Sequence, residues 1–187
     1  MRVFEVERVD WTQLVSFRPS TDLARELQLL ASSPGPDQWE SAMYRIETAA
    51  SDHGVPCAAT AAVVAALASI CLRVESARRL EVLGLLEQLT GGRGIELYDE
   101  SQQRWYVESA LELAFSMAYW VHLMESGSAE EQTACFGLVS NCGNVLSHQR
   151  PRLASYLSFV AERCANLAEE LPVALSHWKT VDALLTH

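Results

Sequence analysis

Gly54 to Leu72 is a run of 19 residues without a charged side chain, dominated by alanine and carrying Pro56 near its start. A segment of that kind is either a membrane span or a helix enclosed by other protein. Alanine drives membrane insertion weakly, and a second uncharged-looking stretch, Ala110 to Met124, is 15 residues long and interrupted by Glu112 and His122. Neither makes a good span. Both are read as helices buried inside a helical protein, and no membrane association is expected.

The rest of the chain agrees with an all-α fold. Ser20, Thr21 or Asp22 can cap a helix running through Ala31, with Leu23, Leu27 and Leu30 on one face. After Pro34-Gly35-Pro36, Asp37 is placed to cap a helix carrying Trp39, Met43, Ile46 and Ala50, which Gly54 ends. Pro56 fits the first turn of the next helix, where its missing N–H costs nothing, and that helix extends to about Arg73. Ser76 to Leu89 is amphipathic, a long helix follows from about Tyr98 to Met124, and Ser128 with Glu131 has capping-box spacing for the next. Two further helices begin near Pro151 and Pro172. The first ten residues form a short strand or a frayed lead-in. No segment shows sustained period-two alternation, so no sheet is expected.

About eight helices joined by short breaks make an antiparallel array. The pairs 37–73, 75–125 and 128–168 fall near the size of two-helix solenoid units, and an irregular helical bundle is the alternative. A single domain over 1–187 follows, with possible sub-units 20–90 and 95–187 joined by the loop at 91–97.

Along 37–90 the chain resembles bacterial HEAT-like repeat proteins. The likeness rests on Trp39, Tyr44, the run His53-Gly54-Val55-Pro56-Cys57-Ala58-Ala59-Thr60-Ala61-Ala62, and Arg78-Arg79-Leu80-Glu81-Val82-Leu83-Gly84-Leu85-Leu86. In such proteins a helix ends in a His-Gly turn, followed by a Pro-led, Ala-rich helix and a Leu-rich one. The resemblance implies an α-solenoid scaffold for protein contacts. Relatives of this type include immunity proteins that neutralise toxins.

Charge narrows the partner. The formal net charge is -10, and Lys179 is the sole lysine. Grip on nucleic-acid phosphates needs clustered Lys and Arg, so no nucleic-acid partner is expected. An acidic surface is complementary to a basic protein. Residues 1–94 carry 12 acidic and 9 basic side chains, whereas 95–187 carry 12 acidic and 5 basic, so the second half is the expected docking region. Within it, Glu108 and Glu112 lie one helical turn apart, with Asp99 and Glu100 earlier and Trp105 and Tyr106 between. Asp99, Glu100, Trp105, Glu108 and Glu112 are therefore the candidate partner-binding residues: carboxylates for Arg or Lys, and an aromatic anchor.

Other constellations carry less. Cys57, Cys71, Cys135, Cys142 and Cys164 are an odd set in apolar stretches, read as buried thiols of a reducing, cytoplasmic protein. Met1 to Asp10 lacks the apolar segment of a secretory signal. His122-x-x-Glu125 reverses the di-metal order, and Cys135, Cys142 and His148 lack a second close pair for zinc. Asp52-His53 has no nucleophile in a recognisable elbow, so His53 is expected to cap or pack at a helix end. Gly91-Gly92-Arg93-Gly94 lacks the Lys-Ser/Thr of a phosphate loop. Arg73, Arg78 and Arg79 are expected on a solvated helix face beside Glu75 and Glu81. The expectation is a non-enzymatic binding protein without metal or cofactor, an immunity-type inhibitor of a basic toxin or effector domain. A cytosolic scaffold or adaptor subunit is the alternative, a helical small-molecule or metal enzyme the third, and a homodimer is compatible with the apolar content.

Overall fold

Asp22 accepts the backbone N–H of Arg25 at 3.0 Å and opens α2 (Leu23–Ala31), whose Leu23, Leu27 and Leu30 are buried as their spacing predicts. The computed structural model describes residues 3–19, 21–92 and 95–185 and is 76% helical. Ahead of α2, the expected strand or frayed lead-in is instead a one-turn helix, α1 (Phe4–Glu7), which packs against α4 through buried Val3 and Val6. Gly35 rather than Asp37 caps α3 (Pro36–Ala50), because Pro36 already occupies the first helical position.

After α3 the chain makes a small antiparallel ladder, β1 (Ser51–Asp52) with β2 (Val55–Pro56). His53 and Gly54 between them have φ of 52° and 88°. Positive φ at both central positions matches the twist of a tight hairpin. A two-residue ladder is too short to show alternation, which is why the sequence does not reveal it. Pro56 consequently lies in the strand and not in a helix. Thr60 opens α4 (Thr60–Cys71) instead, its hydroxyl accepting the Cys57 N–H at 2.8 Å and donating to the Ala50 carbonyl at 2.6 Å.

α4 is the uncharged run, and it is enclosed by α1, α2, α5 (Ser76–Thr90) and α6 (Glu100–Phe115). Val63, Val64, Ala66, Leu67, Ile70 and Cys71 are completely buried. Among the described residues no helix is long and apolar enough to cross a membrane. The expected long helix 98–124 breaks at Ser116 into α6 and α7 (Met117–Ser126), and the Trp120 indole N–H donates to the Leu113 carbonyl at 2.9 Å beside the break. α8 (Ala129–Val145) starts with the reciprocal Ser128–Glu131 box that the sequence predicts. α9 (Arg150–Ala161), the short α10 (Ala165–Ala168) and α11 (Glu170–Leu185) complete the chain.

The contacts sort the helices into two rows. α2 packs on α4 and α4 on α6, while Tyr156 of α9 donates to Glu125 of α7 at 2.9 Å. In the other row Trp39 of α3 donates to Glu81 of α5 at 2.6 Å, α5 packs on α8, and α8 on α11. One continuous apolar core runs from Val3 to Trp178 between the rows. The segments 20–90 and 95–187 thus share a core through the α4–α6 and α5–α8 contacts.

Of the basic cluster, Arg73 is exposed as expected, but Arg78 and Arg79 are structural, contrary to the solvated face expected of them. Arg79 pairs with Glu131 at 2.9 Å and also donates to the Val74 and Cys71 carbonyls at 3.0 and 3.3 Å, tying the α4–α5 turn to α8. Arg78 lies 4.9 Å over the Trp39 ring and donates to the Pro34 carbonyl. Both partners come from segments far away in sequence, so neither pairing is visible from local spacing.

Candidate functional site

Of the five residues expected to bind a partner, two already have intramolecular work. Asp99 accepts the Gln102 N–H at 2.9 Å and its own N–H is accepted by the Gln102 side chain at 2.9 Å, so its carboxylate caps α6. Glu112 is half-buried 3.8 Å from Arg8, which follows α1. Burial pushes its carboxyl pKa up, Arg8 opposes this, and Glu5 adds to the rise. Glu100 is exposed, Glu108 is exposed 4.0 Å from Arg104, and Trp105 is half-buried. Tyr106, expected between them as part of the stripe, is a core residue at 1% exposure that accepts a hydrogen bond from Asn144 at 2.6 Å. Asp99, Glu100 and Glu108 are thus exposed, while Trp105 and Glu112 are half-buried.

A larger concavity lies elsewhere, on the row α5–α8–α11. It is a groove of about 910 Å³. Each helix contributes one face at helical spacing: Gly84, Glu87, Gln88 and Gly91 from α5, Thr133, Phe136, Gly137, Ser140 and Asn141 from α8, and Glu170, Val173, Ala174 and His177 from α11. The hairpin turn His53-Gly54 and the 3-10 turn Ile95–Leu97 close one end through Ile95 and Glu96. A second, shallower depression continues along α5 and α8 past Glu130.

Small residues line the groove along α5 and α8. At Gly84 a Cβ meets nothing within 4 Å, so the α5 backbone faces open space. At Gly137 a Cβ comes within 2.7 Å of a Glu87 carboxylate oxygen, so that side chain lies across the α8 backbone. Asn141 donates to Thr90 at 3.2 Å and fixes the α5–α8 register beneath. The α11 wall is held by Trp178, which packs on Gly143 and donates to the Ser140 carbonyl at 2.8 Å. Arg150 lies 5.9 Å over the same ring and donates to the Gly143 carbonyl at 2.6 Å.

The electrostatics are one-sided. Glu87, Glu96 and Glu170 come from three different elements, and among the described lining residues there is no Lys or Arg. His177 is half-buried, and burial holds its imidazole pKa below the usual value, favouring the neutral form at neutral pH. Phe136 underlies the floor at 2% exposure, whereas Val173 on the α11 wall is 62% exposed. Such a lining holds cationic groups by charge and their aliphatic stems by contact. His53 is not packed at a helix end as expected; its side chain is 98% exposed on the hairpin turn, 3.9 Å from Asp52.

The remaining candidates sit apart from the groove. Burial pushes the thiols of Cys71, Cys135 and Cys142 up to about 12, so they are protonated hydrophobes at neutral pH. Among the described residues no group of three His, Cys, Asp or Glu side chains is placed to hold a metal ion. Of the glycine loop, Gly92 packs against the Tyr106 ring with φ of 64°, and Arg93 and Gly94 lie outside the described residues.

The groove has two sequence signals, glycines inside helical patterns at Gly84 and Gly137. Its acidic members are scattered from 87 to 170 and converge only through packing. The molecule thus belongs to a broad class, an all-helical protein with an acid-lined groove between adjacent helices of one row. No protein family, no curated protein and no solved structure matches the chain.

Proposed function

We propose that this chain is a non-enzymatic, cytoplasmic protein-binding protein of the immunity type, an α-solenoid that occludes a basic toxin or effector domain. The observation that carries the reading is the groove on α5, α8 and α11, with Glu87, Glu96 and Glu170 around it and no described Lys or Arg in its lining. Support for the solenoid comes from helices that contact the next helix and the next but one, the pattern by which such arrays form extended binding surfaces. Preformed helices lower the ordering cost of binding, so occlusion needs no rearrangement of the inhibitor. The partner surface moves from the α6 stripe to the groove, with Glu100 and Glu108 left as outlying charges.

The test uses the tagged chain as bait in lysate of its own source, washed at low and high salt. The expected result is one basic protein, released by salt, whose toxicity co-expression relieves. Replacing Glu96 and Glu170 with Lys, two exposed positions, is expected to abolish both retention and relief, about a hundredfold in affinity for two close charge pairs. Unchanged affinity in that double variant sinks the reading.

One observation favours a second reading as an adaptor subunit or a homodimer. Leu111 and Phe115 sit one turn apart on α6 and are 40% and 84% exposed. An apolar pair so exposed is the kind of surface that a second chain covers.

A further inference from the structure

We infer that the groove receives a linear, arginine- or lysine-bearing segment of the partner, a terminus or protruding loop, seated over Gly84 among Glu87, Glu96 and Glu170. This rests on the reading of the chain as a binder of a basic protein and specifies how that partner engages.

Three observations lead there. The first is volume. A groove of about 910 Å³, half open to solvent, has the size of ligand-holding concavities, about 300–1,000 Å³. A convex domain covers such a groove without filling it, whereas a single chain enters it.

The second is Gly84. It lies in the middle of the 15-residue α5, where glycine destabilises a helix by about 0.5–1 kcal/mol relative to alanine. No neighbour within 4 Å requires the missing side chain, and φ at Gly84 is not positive. Among the described residues no contact calls for the glycine. Its consequence is an open strip of helix backbone at the floor of the groove, which an incoming chain can approach closely.

The third is the arrangement of charge. Glu87 reaches across from α5 over Gly137, Glu170 stands at the start of α11, and Glu96 comes from the 3-10 turn at one end. The carboxylates surround the space and do not fan out from a convex face. That geometry favours a cationic side chain inside the groove, with Phe136 below and Val173 beside its aliphatic stem.

Fluorescently labelled hexa-arginine, titrated by anisotropy at low ionic strength, tests the seat. Saturable one-to-one binding to the unmodified protein is expected. Gly84→Trp fills the floor and is expected to weaken binding about tenfold or more, with helicity and melting retained because the Cβ position is open. Should Gly84→Trp melt early, Val173→Arg carries the test, since it adds a cation to an exposed wall position. Glu100→Gln with Glu108→Gln on α6 is expected to change affinity by less than about threefold, as screened charges outside the groove do. Absence of saturable binding overturns the proposal, and so does equal weakening by the groove and α6 variants, which marks diffuse attraction. If a basic protein partner binds Gly84→Trp and Val173→Arg as tightly as the unmodified chain, the seat is wrong while the broader function stands. If no basic protein is retained but hexa-arginine binding obeys the groove variants, the seat stands and the immunity role falls.

Discussion

Glu131 shows how much one side chain carries in this fold. It is 4% exposed and receives the Ser128 N–H at 2.9 Å, the Ser76 hydroxyl at 3.0 Å and the Arg79 guanidinium at 2.9 Å. Burial alone pushes its pKa up; the donors from Ser128, Ser76 and Arg79 outweigh that and hold it below the usual value. A depressed folded-state pKa contributes stability that is full above the unfolded value and is lost as pH falls through the folded one. Glu131→Gln is therefore expected to cost about 1.5–3 kcal/mol at pH 7, and the gap from the unmodified protein should narrow below about pH 4. Urea unfolding at pH 7, 5 and 3.5 measures it; a gap independent of pH contradicts the ionic role. Half of this node is legible along the chain, because Ser128 and Glu131 are three residues apart. Arg79 is not, because its partner lies 52 residues away.

At the scale of elements, the junction of α11 with α8 turns on one glycine. Gly143 has no room for a side chain, since a Cβ there comes within 2.3 Å of the Trp178 ring. Trp178→Ala removes that packing, the bond to the Ser140 carbonyl and the stack with Arg150. A cost of about 3–5 kcal/mol is expected, with faster amide exchange across 170–181 than across α4. Uniform exchange throughout the chain contradicts α11 as a separately docked wall. Hexa-arginine affinity should fall with it, because α11 supplies Glu170, Val173 and His177 to the groove. Most elements announce themselves by caps, leucine spacing and proline. The exceptions have physical causes. The α6–α7 break at Ser116 has no proline or glycine to mark it, and the hairpin at His53-Gly54 is shorter than any periodicity.

For the whole molecule, charge and apolar exposure make different demands. An acidic groove calls for a cationic occupant, while Leu111 and Phe115 on α6, with Phe4 of α1 at 69% exposure, call for cover. Light scattering after size exclusion is expected to give a dimer that Leu111→Glu with Phe115→Glu converts to a monomer with unchanged helicity. A monomer at all concentrations removes the homodimer reading and leaves the groove untouched, because α6 lies in the opposite row.

Local chemistry along the chain suffices for a mostly helical fold, for the burial of α4 and for most of the expected helices, because caps, prolines and hydrophobic spacing act within a few residues; it misses the break at Ser116 and the strand at Pro56. The acidic character of the second half is also plain there, and it led to α6, where consecutive carboxylates share a face. The Asp99 cap is local, made with Gln102 three residues on, but packing alone placed the other charges. It set Glu112 beside Arg8 and Arg79 against Glu131, and brought Glu87, Glu96 and Glu170 around one groove. Such convergence joins positions up to 83 apart in sequence and depends on which helices share a row, information that no local spacing contains.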